Sequence, residues 1–170
     1  RLRKAFGELV NMQIKSKRFV LSLLTEADAT YRYLSWFDDS KAKEFISYKS
    51  SSLDELKNYI KAKNNDPAAI LLGIFTDGEH IGNIKYEPID LVNKTATMGI
   101  LLGEAQWRGK GVAAEVISIS ADYLAKHFHT ETIILGVDKG NTPAISAYKK
   151  LGFEISEQTD HGLFMKKSLL

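Results

Sequence analysis

A glycine-rich run near the middle of the chain has the composition of an anion cradle. The run is Gln106-Trp107-Arg108-Gly109-Lys110-Gly111-Val112-Ala113, and it lies between an apolar stretch and a helix-like pattern. Glycines let successive backbone N–H groups turn toward one point, and a helix N-terminus favours negative charge there. Arg108 and Lys110 add two positive charges. The run predicts a phosphate or pyrophosphate site, or else a plain strand-to-helix turn with solvated basic side chains.

Two other phosphate motifs fit this run less well. A P-loop needs four residues between its first glycine and its Gly-Lys pair, and then Ser or Thr. Here five residues separate Gly103 from Gly109, and Gly111 follows Lys110, so no hydroxyl is placed for magnesium. Gly109–Ala114 does match a dinucleotide-binding Gly-x-Gly-x-x-Ala pattern. That pattern belongs in the first strand-to-helix turn of a long doubly wound fold, whereas hairpin-like strands precede it here.

A second polar pair lies nearer the C-terminal end. Asn141 and Tyr148 are seven residues apart, which is about two helical turns, so a helix would place them on one face. Thr142-Pro143 is typical of a helix start, and Gly152 of a helix end. The pair could contact one ligand. Alternatively, Asn141 only caps the helix and Tyr148 packs its ring in the core.

Taken together and in this order, the two segments resemble the GNAT superfamily of acyl-CoA-dependent N-acetyltransferases. Gln106-x-x-Gly109-x-Gly111 is similar to the pyrophosphate motif of that family. Asn141–Phe153 is similar to its second coenzyme A segment, Asn-x-x-Ala-x-x-x-Tyr-x-x-x-Gly-Phe. The resemblance covers about residues 17–168. Leu34-Ser35-Trp36-Phe37-Asp38-Asp39 resembles the branch that contains ribosomal-protein N-terminal, spermidine and nucleotide-sugar amine acetyltransferases.

The resemblance implies acetyl-CoA as the cosubstrate and no metal. Backbone groups at the end of one strand would meet the pantetheine arm, and the N–H groups of the cradle would hold the pyrophosphate. Asn141 would bond to the pantetheine region, and Tyr148 would be the catalytic acid beside the thioester sulfur. The implied cofactor-binding residues are Leu101, Leu102, Gly103, Arg108, Gly109, Lys110, Gly111, Val112, Ala113, Ala114, Asn141 and Tyr148.

The implied fold is a mixed α/β (α+β) fold with a central, mostly antiparallel sheet. Strands 4 and 5 of that sheet would splay apart to admit the cofactor. Related enzymes often have a glutamate on strand 4, at a position where this chain has Met98. The amine must lose a proton before its lone pair can attack the thioester. Glu87, a water chain or bulk solvent are the alternatives for the proton acceptor.

The implied reaction is direct attack of a primary amine in a ternary complex, with a small molecule or a peptide as the acceptor. Peptide N-termini, polyamines, amino sugars and antibiotics all remain compatible with it. The candidate acceptor-site residues are Trp36, Phe37 and Glu87, with Tyr31, Asp38 and Asp39 beside them. A packed helix with solvated acids is the alternative for the aromatic group. Because Met98 replaces the glutamate, an inactive acyl-CoA sensor or interaction module is the alternative function.

Hydrophobic periodicity predicts the elements that position these residues. Strands are predicted at 18–24, 69–76, 81–86, 96–102, 131–137, 153–155 and 163–165, with a hairpin turn at Asp77-Gly78. Helices are predicted at 29–37 after Thr25, at 53–63 after Ser52, at 111–128, and from Thr142 to Gly152.

Composition limits the classes of function. The 170 residues suit one domain, the net charge of +2 is weak for a nucleic-acid partner, and there is no cysteine to form a thiolate nucleophile or a disulfide. No apolar run approaches the ~20 residues of a membrane helix. We expect a cytoplasmic protein and leave a homodimer open. Residues 1–11 are expected to be a leader or an added extension, or else a helical turn, with 12–170 as a single acetyltransferase domain.

Overall fold

The computed structural model describes residues 13–38 and 49–170, so the expected leader at 1–11 and the acceptor candidate Asp39 lie outside the described residues. Eight strands form one sheet in the described part of the chain. They are β1 (Ile14–Lys15), β2 (Val20–Leu23), β3 (Ile70–Thr76), β4 (Glu79–Asp90), β5 (Thr95–Leu102), β6 (Thr132–Asp138), β7 (Glu154–Gln158) and β8 (Gly162–Ser168). The spatial order is β1-β2-β3-β4-β5-β6-β8-β7, with β5 and β6 parallel and the other neighbours antiparallel.

Four α-helices accompany the sheet in the described ranges. They are α1 (Tyr31–Ser35), α2 (Leu53–Asn65), α3 (Val112–Phe128) and α4 (Thr142–Lys150), with 3₁₀ turns at Glu26–Asp28, Trp36–Asp38 and Ala105–Trp107. Ser52 caps α2 by accepting a hydrogen bond from the backbone N–H of Glu55 at 3.1 Å. The Glu55 carboxylate accepts from the N–H of Ser51 rather than from Ser52. Across the described helices, none is long and apolar enough to cross a membrane.

The helix predicted at 29–37 forms as two shorter pieces. Thr30 caps α1 by accepting from the N–H of Tyr33 at 3.1 Å, and the chain tightens into a 3₁₀ turn after Ser35. The tighter turn directs both Trp36 and Phe37 into the core, where each is 2% exposed. β4 is longer than predicted, because a register shift between Tyr86 and Ile89 lets the strand continue past Pro88.

Two separate hydrophobic cores lie on the two faces of the sheet. Along β5, Met98 and Ile100 belong to a core that includes α3 and α4, whereas Leu101 belongs to a core that includes α1 and α2. Alternate residues of a strand lie on opposite faces, so the two cores are on opposite sides of the sheet. Burial on both faces explains why β3 is an almost unbroken apolar run.

β5 and β6 part after a short region of pairing. Thr95–Thr97 pairs with Thr132–Ile134. Beyond that point β5 follows β4 as far as Leu102, and β6 follows β8 as far as Asp138. The predicted strands 4 and 5, at 96–102 and 131–137, are β5 and β6 here because the short β1 was not predicted. The predicted mixed fold and splayed strands are therefore confirmed.

Candidate active site

A cavity of about 590 Å³ opens where β5 and β6 part. One side is formed by the parted strands and α4. The other is formed by α1, α2 and the face of β4 that carries Asn83 and Lys85. The turn between β7 and β8 also reaches it. The polar side chains that line it are Tyr33, Tyr59, Asn83, Lys85, Glu87, Thr97, Asp138, Tyr148, Thr159 and His161.

Tyr148 lies on the wall that α4 gives to this cavity. Its side chain is buried, and its ring packs edge-on against Phe153 with a centroid distance of 5.7 Å. Burial raises the pKa of Tyr148 to about 12, because the low-dielectric surroundings disfavour a phenolate. The hydroxyl is therefore protonated at neutral pH and can donate a hydrogen bond or a proton.

Asn141 begins the same helix and has one unused donor. Its Oδ1 caps α4 by accepting from the N–H of Ala144 at 3.3 Å. Its Nδ2 is buried and has no hydrogen-bond partner within the described residues. A buried donor without a partner costs about 1–3 kcal/mol. The group is therefore placed to bond to an acceptor that a ligand supplies, although Asn141 lies outside the cavity lining.

The glycine-rich run has the backbone of an anion cradle. Gly109 and Gly111 have φ angles of +70° and +77°, a region that side-chain-bearing residues rarely adopt. Gly111 is the N-cap of α3, and the first N–H groups of a helix have no partner inside it. A Cβ added at Gly109 would meet no protein atom within 4 Å, so the loop is open at that point. The side chain of Arg108 donates from Nη2 to the carbonyl of Leu102 at 3.4 Å.

Arg18 supports this loop, and the sequence analysis did not identify it. Its Nη1 donates to the carbonyl of Lys110 at 2.9 Å, and its Nε donates to the carboxylate of Glu115 at 2.8 Å. The C=O and N–H of a trans peptide point in opposite directions. Holding the Lys110 carbonyl toward Arg18 thus turns the N–H of Gly111 to the other side. Because the partners are more than ninety positions apart, no local pattern indicates this contact.

Contacts within the protein constrain the end of β5. Leu101 lines the cavity, but Leu102 and Gly103 do not. The N–H of Gly103 donates to the carbonyl of Ile81 at 2.9 Å, so it is not available to a pantetheine arm. A Cβ at Gly103 would lie 2.0 Å from Cδ2 of Trp36. Close approach of the indole therefore requires glycine at this position.

The predicted acceptor residues are only partly brought together. Phe37 and Glu87 line the cavity. Trp36 is outside the lining, buried in the core, and its indole N–H donates to the carboxylate of Glu104 at 3.0 Å. Tyr31 is 77% exposed, and neither it nor the exposed Asp38 lines the cavity.

The two positions considered for the proton acceptor differ in chemistry. Met98 lines the cavity, is 5% exposed and carries no titratable group. Glu87 is held by two ammonium groups, with Oε1 2.8 Å from Nζ of Lys63 and Oε2 3.5 Å from Nζ of Lys85. The carboxylate thus stands in an ion-pair network rather than alone.

Asn83 and His80 form a polar pair that the sequence analysis missed. Asn83 is 4% exposed and lines the cavity, and its Oδ1 lies 2.7 Å from Nε2 of His80. The imidazole is surrounded by the rings of Tyr33, Trp36 and Phe75. Burial lowers the pKa of His80, so the ring is neutral at neutral pH. For residues 13–38 and 49–170, the structure contains no group of three or more metal-ligating side chains.

Comparison with known families agrees with this architecture. The sequence model of the acetyltransferase (GNAT) domain matches residues 18–154. The protein belongs to the GNAT acetyltransferase family.

Curated relatives match over part of their length. The spermidine N(1)-acetyltransferase of Escherichia coli (strain K12) is 32% identical over 89 residues, which are 52% of this chain and 47% of the relative. The chain thus spans about half the length of the curated relatives it first matches. A mycothiol acetyltransferase of Corynebacterium glutamicum is 37% identical over 51 residues, 30% of this chain and 17% of the relative.

Solved structures share the fold over most of the chain. A ribosomal L7/L12 α-N-protein acetyltransferase in complex with coenzyme A has a TM-score of 0.80 at 15% identity, covering 92% of this chain and 98% of that one. A spermidine N-acetyltransferase from Vibrio cholerae, in complex with CoA and spermine, has a TM-score of 0.78 at 18% identity. It covers 90% of this chain and 96% of the other. At these identities the likeness establishes the fold.

Proposed function

We propose that the protein is an acetyl-CoA-dependent N-acetyltransferase that moves an acetyl group to a primary amine by direct attack in a ternary complex. The observation that carries this proposal is the pairing, on one helix, of a protonated Tyr148 hydroxyl in the cavity with the unused Nδ2 donor of Asn141. Family membership supports the same class of reaction.

The residues present fit acetyl-CoA. The opening between β5 and β6 gives an extended arm a place to lie, and the buried Nδ2 of Asn141 needs an acceptor such as an amide carbonyl. The N–H groups from Gly109 to Ala114, at the positive end of α3, would hold the pyrophosphate, with Arg108 and Lys110 adding charge. When bound, acetyl-CoA supplies an activated acyl group whose leaving atom is a sulfur.

Tyr148 would supply the proton that the departing sulfur needs. A hydroxyl that is still protonated at neutral pH can donate as negative charge develops, which stabilises the transition state more than the ground state. No covalent enzyme intermediate is required, because the amine itself is the nucleophile. Met98 has no basic atom and Glu87 is bound by two lysines, so we assign the proton of the amine to solvent.

An acetylation assay over a library of primary amines tests the proposal. Release of free thiol from acetyl-CoA, with the acetylated product identified by mass, is the expected result for at least one class of amine. A protein that binds acetyl-CoA in calorimetry but releases no thiol with any amine would be an acyl-CoA sensor or interaction module, and the proposal would fail.

A further inference from the structure

The wall that β4 gives to the cavity carries a positive side chain. Lys85 of β4 lines the cavity, and its side chain is 25% exposed. Its Nζ is 3.3 Å from the hydroxyl of Tyr59 and 5.8 Å from the centroid of that ring. The phenol of Tyr59 thus holds the ammonium group on the wall.

The carboxylate next to Lys85 is also paired with a second lysine. Glu87 is 2.8 Å from Nζ of Lys63, a shorter contact than its 3.5 Å to Nζ of Lys85. Lys63 does not line the cavity. Lys63, Lys85 and Glu87 together carry one net positive charge, but only Lys85 and Glu87 of the three line the cavity, as does the carboxylate of Asp138 on β6. Lys85 has the longer contact to Glu87, so its ammonium group is the less completely paired of the two lysines.

A second hydrogen-bond donor lies beside Lys85. Asn83 is two residues earlier on β4, on the same face of the strand, and it also lines the cavity. Its Oδ1 is occupied by Nε2 of His80 at 2.7 Å, which leaves the Nδ2 hydrogens for a ligand. An ammonium and an amide N–H₂ on one face suit an anionic oxygen.

The residue of β5 that pairs with Lys85 has no side chain to fill the cavity. Gly99 of β5 is the register partner of Lys85, and it lines the cavity. A Cβ added at Gly99 would meet nothing within 4 Å. Packing therefore does not require glycine there, and its missing side chain leaves room for a ligand group next to Lys85.

We infer that this wall binds an anionic group of the acceptor, so that the substrate is a primary amine which also carries a phosphate or a carboxylate. The inference rests on the proposed function. A polyamine would bring a further ammonium group toward Lys85, and like charges at such distances repel. The ammonium group of Lys85 also disfavours the protonated form of an amine bound close to it, which would favour the attacking form although Met98 is not a base.

Matched pairs of amines test this inference and separate the two anions. Glucosamine 6-phosphate is compared with glucosamine, and alanine with alaninamide, with spermidine as the cationic probe. We expect one anionic member to have a kcat/KM at least about tenfold above that of its neutral partner, a difference of about 1.4 kcal/mol. The pair that shows the preference identifies phosphate or carboxylate as the group bound.

Variants test whether Lys85 and Gly99 cause the preference for the anionic amine. Lys85→Met should raise KM for the anionic member of a pair more than KM for its neutral partner and so remove most of the tenfold preference, and Lys85→Arg should retain it. Lys61→Met, which removes an exposed lysine of α2, is the matched control and should change neither. Gly99→Leu should raise KM for the amine more than KM for acetyl-CoA, with the melting temperature preserved.

Two results would overturn the inference while the proposed function survives. One is a higher kcat/KM for spermidine or for the neutral amines than for their anionic counterparts. The other is an equal loss for both members of a pair in Lys85→Met. Absence of thiol release with every amine would instead overturn the proposed function, and this inference with it.

Discussion

The two sides of the cavity are built by different means. The side formed by β5, β6 and α4 depends on backbone, because the strands part after three residue pairs. Two glycines at positive φ and the N-terminus of α3 lie outside the cavity lining and continue this backbone-built region. The side formed by α1, α2 and β4 depends on side chains such as Tyr59, Asn83 and Lys85. In the proposed function, the first side would meet a cosubstrate of constant shape and the second would meet the acceptor. Damage to the first should therefore affect every substrate alike.

Removing the Tyr148 hydroxyl should give the largest effect. Tyr148→Phe keeps the ring against Phe153 and removes only the proposed acid. Turnover should fall about 10²–10⁴-fold, the range for loss of a general acid, with every acceptor amine. Acetyl-CoA affinity by calorimetry and the melting temperature should stay close to wild type. Turnover within about twofold of wild type would show that another group protonates the thiolate.

Asn141→Ser separates capping from ligand binding. Serine caps a helix about as well as asparagine, so thermal stability should change by only a few tenths of a kcal/mol. The amide donor is lost, and acetyl-CoA should bind about tenfold more weakly, as expected for one hydrogen bond to a buried group. Asn141→Ala, which also loses the cap, should be less stable by about 1 kcal/mol. Unchanged acetyl-CoA affinity in the serine variant would mean that the buried Nδ2 is not a ligand contact.

Arg18→Met tests whether the loop needs external support. The Lys110 carbonyl loses its partner, so the Gly111 N–H is less firmly oriented and KM for acetyl-CoA should rise about threefold to fivefold, under 1 kcal/mol. The exposed ion pair to Glu115 contributes little to stability, and kcat should change little. Lys17→Met removes a neighbouring exposed charge and should leave KM unaltered. An equal rise in both variants would point to general electrostatics instead.

Protonation of His80, which lies on the side of the cavity formed by α1, α2 and β4, should give the smallest effect. The quantity that changes is the free energy of unfolding. Because burial lowers its pKa in the folded protein, the unfolded chain binds the proton more readily. The stabilisation is therefore fully present above the unfolded pKa of about 6.5 and decreases as the pH falls below it. One proton limits the slope to about 1.4 kcal/mol per pH unit. Urea unfolding at pH 7.5 and 5.5 should show a larger loss for wild type than for His80→Gln, and parallel curves would contradict this.

Short motifs that dictate the local backbone conformation predict the structure best. Glycines at 109 and 111 predicted the turn into α3, and both have positive φ. Pro143 and Gly152 predicted the limits of α4, which places Asn141 and Tyr148 on one helix. That these residues hold the cofactor and donate a proton remains a prediction.

Other features depend on contacts that no local pattern records. Arg18 contacts Glu115 across 97 positions. Asn83 and Lys85 alternate with Ile84 and Tyr86, a pattern typical of any strand with one polar face, so the sequence does not mark Asn83 as a binding group. Trp36 was expected to line the acceptor cleft, but a close approach to Gly103 draws it into the core. Only the folded sheet brings these pairs together.

The parting of β5 and β6 bears on how substrate specificity can differ among proteins with this fold. The opening exists because two parallel strands share only three residue pairs, and each strand then keeps a different antiparallel neighbour. In the proposed function, substitutions on the β4 side of the cavity would change which amine is accepted, while the strand pairing that forms the opening stays the same.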